Sequence, residues 1–110
     1  MRRKTGMNKN ENEKKREDFE NMKAVITVTG KDTVGIIAEV AGVCAKNGSN
    51  ILDITQSVIG EYFAMIMLAD ISQLTNDFSA FVDALEQLGK SKNLVIHAMH
   101  EDIFNTMHHI

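Results

Sequence analysis

The sequence has no proline, no tryptophan, one tyrosine and one cysteine. It also lacks any apolar run near the roughly 20 residues needed to span a bilayer, so no membrane partner is expected. Without proline, no helix start is preset by a ring-locked φ. The lone Cys44 rules out an intramolecular disulfide and suits a reducing cytoplasm. No apolar segment of signal-peptide type follows the basic start Arg2-Arg3-Lys4. Basic charge is short as well. A net charge of -3 and a pI near 5.7 argue against nucleic acid as the main partner, because phosphate binding wants a basic face.

What is present fits an ordinary globular chain, with 44% hydrophobic and 25% charged residues in a total of 110. Residues 1–21 differ from the rest: apart from methionines and Phe19 they hold almost nothing apolar. They cannot bury enough surface to offset the entropy of ordering, and are read as a disordered arm or a frayed helix. A basic arm for nucleic acid is the functional alternative, but Glu11, Glu13, Glu17, Asp18 and Glu20 cancel it. Lys15-Arg16-Glu17-Asp18 can be encoded by a purine-rich stretch like a ribosome-binding site, so a translation start at Met22 is a further reading. The domain itself is expected over residues 22–110.

From Lys23 the pattern turns regular. Lys23 to Thr29 alternates, with Ala24, Ile26 and Val28 on one face of a strand. Val34 to Asn47 has helical spacing in Ile36, Ile37, Val40, Ala41, Val43 and Cys44, and Asn47-Gly48 stops it. Asn50 to Ile59 reads as a second strand with Leu52, Ile54 and Val58 facing the core, and Gly60-Glu61 turns it into Tyr62 to Asp70. Asn76 or Asp77 caps a helix carrying Phe78, Phe81, Val82, Leu85 and Leu88, stopped by Gly89. Asn93 to His100 is the last strand. Glu101 to His109 is a short helix with Ile103, Phe104, Met107 and Ile110 in one stripe.

The order β-α-β-β-α-β plus a C-terminal helix is an α+β split-βαβ arrangement. Right-handed crossovers place two helices on one face of a four-stranded antiparallel sheet of order 4-1-3-2. The third strand is apolar on both faces, so the sheet side away from the helices needs a cover, from the C-terminal helix or from a second subunit. A two-fold homodimer is the favoured assembly.

The turn Gly30-Lys31-Asp32-Thr33-Val34-Gly35 sets a helix N-terminus directly after a buried strand. Free backbone N–H groups and a partial positive charge there suit the carboxylate of a small molecule. Asp32 or Thr33 as helix N-cap, worth about 1 kcal/mol, would explain the turn without any ligand. Gly35 weighs against that, because a glycine in a first helical turn costs roughly 1 kcal/mol and calls for close packing or a close ligand.

The run V-T-G-K-D-T-V-G-I-I-A-E-V-A, then K-N-G-S-N-I-L-D-I, resembles an ACT domain, and the tail D-I-F-N-T-M-H-H-I is similar to that of stand-alone bacterial and archaeal ACT-domain proteins. The resemblance covers everything but the N-terminal arm. It implies a ferredoxin-like fold, association through sheets or helices, and amino acids bound at subunit interfaces; the stand-alone branch also looks similar to repressor-type regulators of glycine cleavage. Residue by residue, Asp32 and Gly35 match the Asp/Asn-x-x-Gly turn of such domains, and Asn50 and Ile51 match the Asn-Ile that opens their second strand. Val34 departs from the pattern, standing where many members have proline.

Other chemistries find little support. His97 and His100 are three apart on a strand and point to opposite faces, and His108-His109 has no carboxylate or cysteine at ligand spacing, so no metal is expected. Cys44 lies on a buried stripe, where it acts as a small hydrophobe rather than a nucleophile. An acylphosphatase-like enzyme would need an arginine in the turn, which carries only Lys31. An RNA-recognition sheet would need aromatics on the first strand, and KAVITVT has none.

The sequence therefore reads as a non-catalytic, cofactor-free sensing module that binds a small amino acid or related metabolite as a homodimer. The expected contacts are Asp32, Thr33, Val34, Gly35 and Ile36 on the turn, with Asn50, Ile51 and Asp53 opposite. The alternative is a protein-interaction module that regulates a partner enzyme without a metabolite.

Overall fold

The computed structural model describes residues 22–31 and 34–107. The expectations for the N-terminal arm, for Asp32 and Thr33, and for His108, His109 and Ile110 fall outside these. The described elements are β1 (Lys23–Lys31), α1 (Ile36–Lys46), β2 (Asn50–Ile59), β3 (Tyr62–Asp70), α2 (Phe78–Lys92), β4 (Val95–His100) and α3 (Glu101–Met107). The sheet runs β2-β3-β1-β4 with every neighbouring pair antiparallel, which is the expected order read from the other edge. No helix of the described residues is long and apolar enough to cross a membrane.

The alternation in β1 sends Ala24, Ile26 and Val28 to the helix-covered face, where each is fully buried. Met65, Met67 and Ala69 of β3 join them, opposite Ile36, Val40 and Cys44 of α1 and Phe81 and Leu85 of α2. The buried α1 residues recur every four positions, as a helix packed by one stripe requires. Asp77 caps α2 as expected: its carboxylate accepts a hydrogen bond from the Ala80 N–H at 2.9 Å. A Lys92–Glu39 ion pair at 3.2 Å ties α2 to α1.

Four boundary and facing expectations need correction. Helix α1 begins at Ile36, not Val34, because Gly35 holds a left-handed φ of 83° and acts as N-cap without any side-chain cap bond. In β2 the register shifts between Ile51 and Asp53, so Leu52 is bulged out and exposed while Ile51 and Ile54 pack on the core. Val58 shares the helix-side face but lies on the projecting hairpin, 71% exposed. Gly89 does not stop α2, which runs on to Lys92 and ends at Asn93 with φ 63°. Gly89 is there for contact: a Cβ would stand 2.8 Å from the Leu94 carbonyl oxygen and 3.1 Å from Ile96 Cγ1.

The far face of the sheet is covered at one end only. α3 lies against β1 and β4, leaving Val25 buried, while Tyr62, Ala64 and Ile66 of β3 stay exposed. On α3 itself Phe104 is half-buried, but Ile103 and Met107 face outward, so the apolar stripe is covered only in part among the described residues.

Gly89→Ala should lower stability by about 1–2 kcal/mol in urea unfolding, although alanine is the better helix former, because the added methyl overpacks the α2–β4 contact. Unchanged or raised stability would show that this contact has slack.

Candidate functional site

Strand β1 ends at Lys31, paired with Tyr62 at the start of β3, which in turn faces Ile59 at the end of β2. The β1–α1 turn therefore emerges at the same end of the sheet as the β2–β3 turn. Val34 there is 92% exposed and Gly35 lies open, with nothing beyond its own chain neighbours within 4 Å of where a Cβ would sit. Gly35 is thus explained by its backbone conformation alone, since a left-handed φ favours glycine. Neither close packing nor a close ligand is needed to account for it. Ile36 is buried and anchors the start of α1.

The chemistry of this corner lies in the main chain. Glu39 N–H reaches the Gly35 carbonyl at 3.1 Å, so the three preceding amides, from Ile36 to Ala38, come before any acceptor the helix itself can offer. Such a first turn attracts an anion. Beside it, the β2–β3 turn forms a hollow of about 430 Å³ lined by Val58, Gly60, Glu61, Tyr62 and Phe63. Lys31 lies 3.9 Å from the Glu61 carboxylate and 5.9 Å from the centre of the Tyr62 ring; both charged groups are about two-thirds exposed, so each contact is weak. These hairpin residues were missed as neighbours of the turn. The signal was the double-sided apolar pattern at Tyr62 and Phe63, read only as an interface.

Asn50, Ile51 and Asp53 lie elsewhere. Asn50 faces Asp70, which faces Lys23 at the opposite end of β1. At about 3.4 Å per residue, the nine-residue β1 sets this group roughly 27 Å from the turn. The structure thus brings Asn50, Ile51 and Asp53 together on an edge strand but separates them from Val34, Gly35 and Ile36 within one chain. Asp53 is exposed, on the sheet face away from α1 and α2, and its Oδ1 accepts a hydrogen bond from the Ile54 N–H at 2.9 Å.

Titrating groups elsewhere add no reactive centre. Burial pushes the Cys44 thiol up from 9.0 to about 11, so it holds its proton and packs as an apolar group. His97 lies exposed on the open sheet face, whereas His100 stacks on Phe78 with ring centroids 4.1 Å apart. Among the described residues no three His, Cys, Asp or Glu side chains could share a metal ion.

A four-stranded antiparallel sheet in βαββαβ order, with two helices on one face, defines a small ferredoxin-like domain. The ACT-domain profile matches residues 23–99, and the chain belongs to the ACT-domain family. A UPF0237 protein of Clostridium perfringens is 49% identical over 89 residues, covering 81% of this chain and all of its own length. The solved ACT domain protein from Streptococcus pneumoniae superposes with a TM-score of 0.66 at 42% identity, covering 76% of this chain and 93% of that one. A putative glycine cleavage system transcriptional repressor superposes at 0.59 with 28% identity; the match covers 72% of this chain and 45% of that longer chain. ACT domains are in general regulatory, ligand-binding modules.

Gly35→Ala should cost about 1–2 kcal/mol of unfolding free energy, the strain of a left-handed non-glycine residue, whether or not a ligand is present. An unaffected midpoint in urea would show that the turn relaxes to another conformation. A second expectation concerns Cys44. The folded thiol keeps its proton after the unfolded one has lost it, so its contribution is complete below pH 9 and declines between pH 9 and about 11. The decline should be on the order of 2 kcal/mol and should be absent from Cys44→Ala when unfolding is compared across that range.

Proposed function

We propose that the protein is a non-catalytic sensing module that works as a homodimer, joined by antiparallel pairing of β2 with β2 of a second copy, and binds an amino acid or related metabolite where the two meet. The observation that carries this reading is the unguarded edge. β2 spans ten residues, NILDITQSVI, with no proline, no lysine or arginine and a single charge, Asp53. Exposed edges are normally blunted by such residues; here only the bulge at Leu52 interrupts the edge, and the stretch from Asp53 to Ile59 is left free to pair.

The register supports the same reading. Two-fold antiparallel pairing about the middle of β2 would bring Asn50 of one copy beside Ile59 of the other, hence to the end of the sheet where the β1–α1 turn emerges. The 27 Å separation within one chain then shrinks to three strand spacings, roughly 14 Å, between chains. The amides from Ile36 to Ala38 would receive the ligand carboxylate, with Asp32, Thr33, Val34 and Gly35 around it. Ile51 of the second copy, on the helix-side face, would form the opposite wall, with Asn50 beside it at the strand end. Asp53, on the open face of the sheet, does not join this wall. In this reading ligand binding acts by shifting association or partner contacts, which requires different affinities for two states. A reducing cytoplasm remains the compartment that the single buried thiol suits.

A second reading, contact with a partner enzyme without a metabolite, is favoured by the outward-facing Ile103 and Met107 and by the open β3 face around Tyr62 and Ile66.

Sedimentation should give a dimer that Gln56→Lys with Val58→Lys weakens at least tenfold, because these place lysines along the edge and across the two-fold. In thermal-shift screening over the amino acids, a specific stabilisation of the native chain should be lost in that variant. Equal stabilisation of the monomeric variant would overturn the shared site. A flat screen with an intact dimer would favour the interaction reading.

A further inference from the structure

The cleft between α3 and the open face of the sheet lies away from the β1–α1 corner and is independent of the reading given for it. It has a volume of about 210 Å³. Its floor is apolar: Val25 of β1 with Ile66 and Leu68 of β3. Phe104 of α3 closes it from above. The rim is acidic and polar, with the carboxylates of Asp53 and Glu101 joined by Thr55 and Asn105. No lysine, arginine or histidine lines it among the described residues; Lys23, two residues before Val25 on the same strand face, is paired in register with Asp70.

Two features prepare this cleft for a cation with an apolar body. The Ile54 N–H holds Asp53 Oδ1 at 2.9 Å, which fixes the carboxylate and leaves Oδ2 without a hydrogen bond among the described residues. Glu101 is half-buried at the start of α3, with no ion pair or side-chain hydrogen bond among the described residues. A small ligand with a short hydrocarbon part can cover Val25, Ile66 and Phe104 while presenting an ammonium to the acidic rim, the combination of apolar wall and few polar anchors that binding clefts use. A zwitterionic amino acid fits less well, since its own carboxylate would meet an acidic rim with no cationic partner.

We infer that the α3 cleft is a second binding site, for small primary amines with an apolar body and no carboxylate. The test is a ¹⁵N NMR titration of the full chain with n-butylammonium, and with n-butyrate and n-butanol at matched ionic strength. The amine should give saturable shifts gathered on Asp53, Ile66, Glu101 and Asn105, with butyrate giving none there and butanol much less than the amine. Asp53→Asn with Glu101→Gln, both at solvent-accessible positions, should keep a native spectrum and lose affinity at least tenfold. Three results would overturn the inference: no saturable shift with the amine, the same response to butanol or butyrate, or undiminished affinity in the double variant. None of them bears on the amino-acid corner, which butylammonium, lacking a carboxylate, does not probe.

Discussion

Everything in this fold is positioned by the burial of β1 at the centre of the sheet. Its Ala24, Ile26 and Val28 are removed from water against two helices, while its main chain is hydrogen-bonded on both sides, to β3 and β4. A one-residue slip would turn these side chains to the opposite face, so the register is strongly held. That register sends the β1–α1 turn to one end of the sheet and the start of β2 to the other. The central fact about the candidate site, that its two halves lie far apart in one chain, is a direct consequence of it.

The two edges and two faces of the sheet are unequal in a way that suggests how the molecule associates. β4 is a short edge that runs straight into α3, whereas β2 is long, bears one charge and ends in an exposed apolar hairpin. α3 shields one end of the open face and creates a cleft there, leaving the β3 residues nearer the hairpin bare. The α3 cleft shares β2 with that edge through Asp53 and Thr55, so edge pairing would bring the second copy close to the rim of the cleft.

Much of this was legible in the chain. The alternation of β1, the four-residue stripe of α1 and the Asp77 cap gave the elements and their order, because each rests on local periodicity or local hydrogen bonding. What escaped notice depended on contacts between distant residues. Leu52 looks like a core position until the bulge shifts it outward, and Gly89 looks like a helix stop until β4 is seen lying against it. Gly35 was legible as unusual, but the cause is a left-handed backbone rather than a neighbour. The resemblance groups Asn50 and Ile51 with the turn; the distance along β1 and the facing of Asn50 and Asp53 away from the helices follow only from strand register.

The claim that two copies complete one site through β2 is tested most directly by cross-linking between unlike variants. One sample would carry Asn50→Cys and the other Ile59→Cys, each in a Cys44→Ala background, mixed and treated with a short bis-maleimide. Antiparallel edge pairing predicts rapid joining of position 50 of one chain to position 59 of the other, with little joining of like to like. Absence of that product, or preferential linkage of 50 to 50, would contradict it.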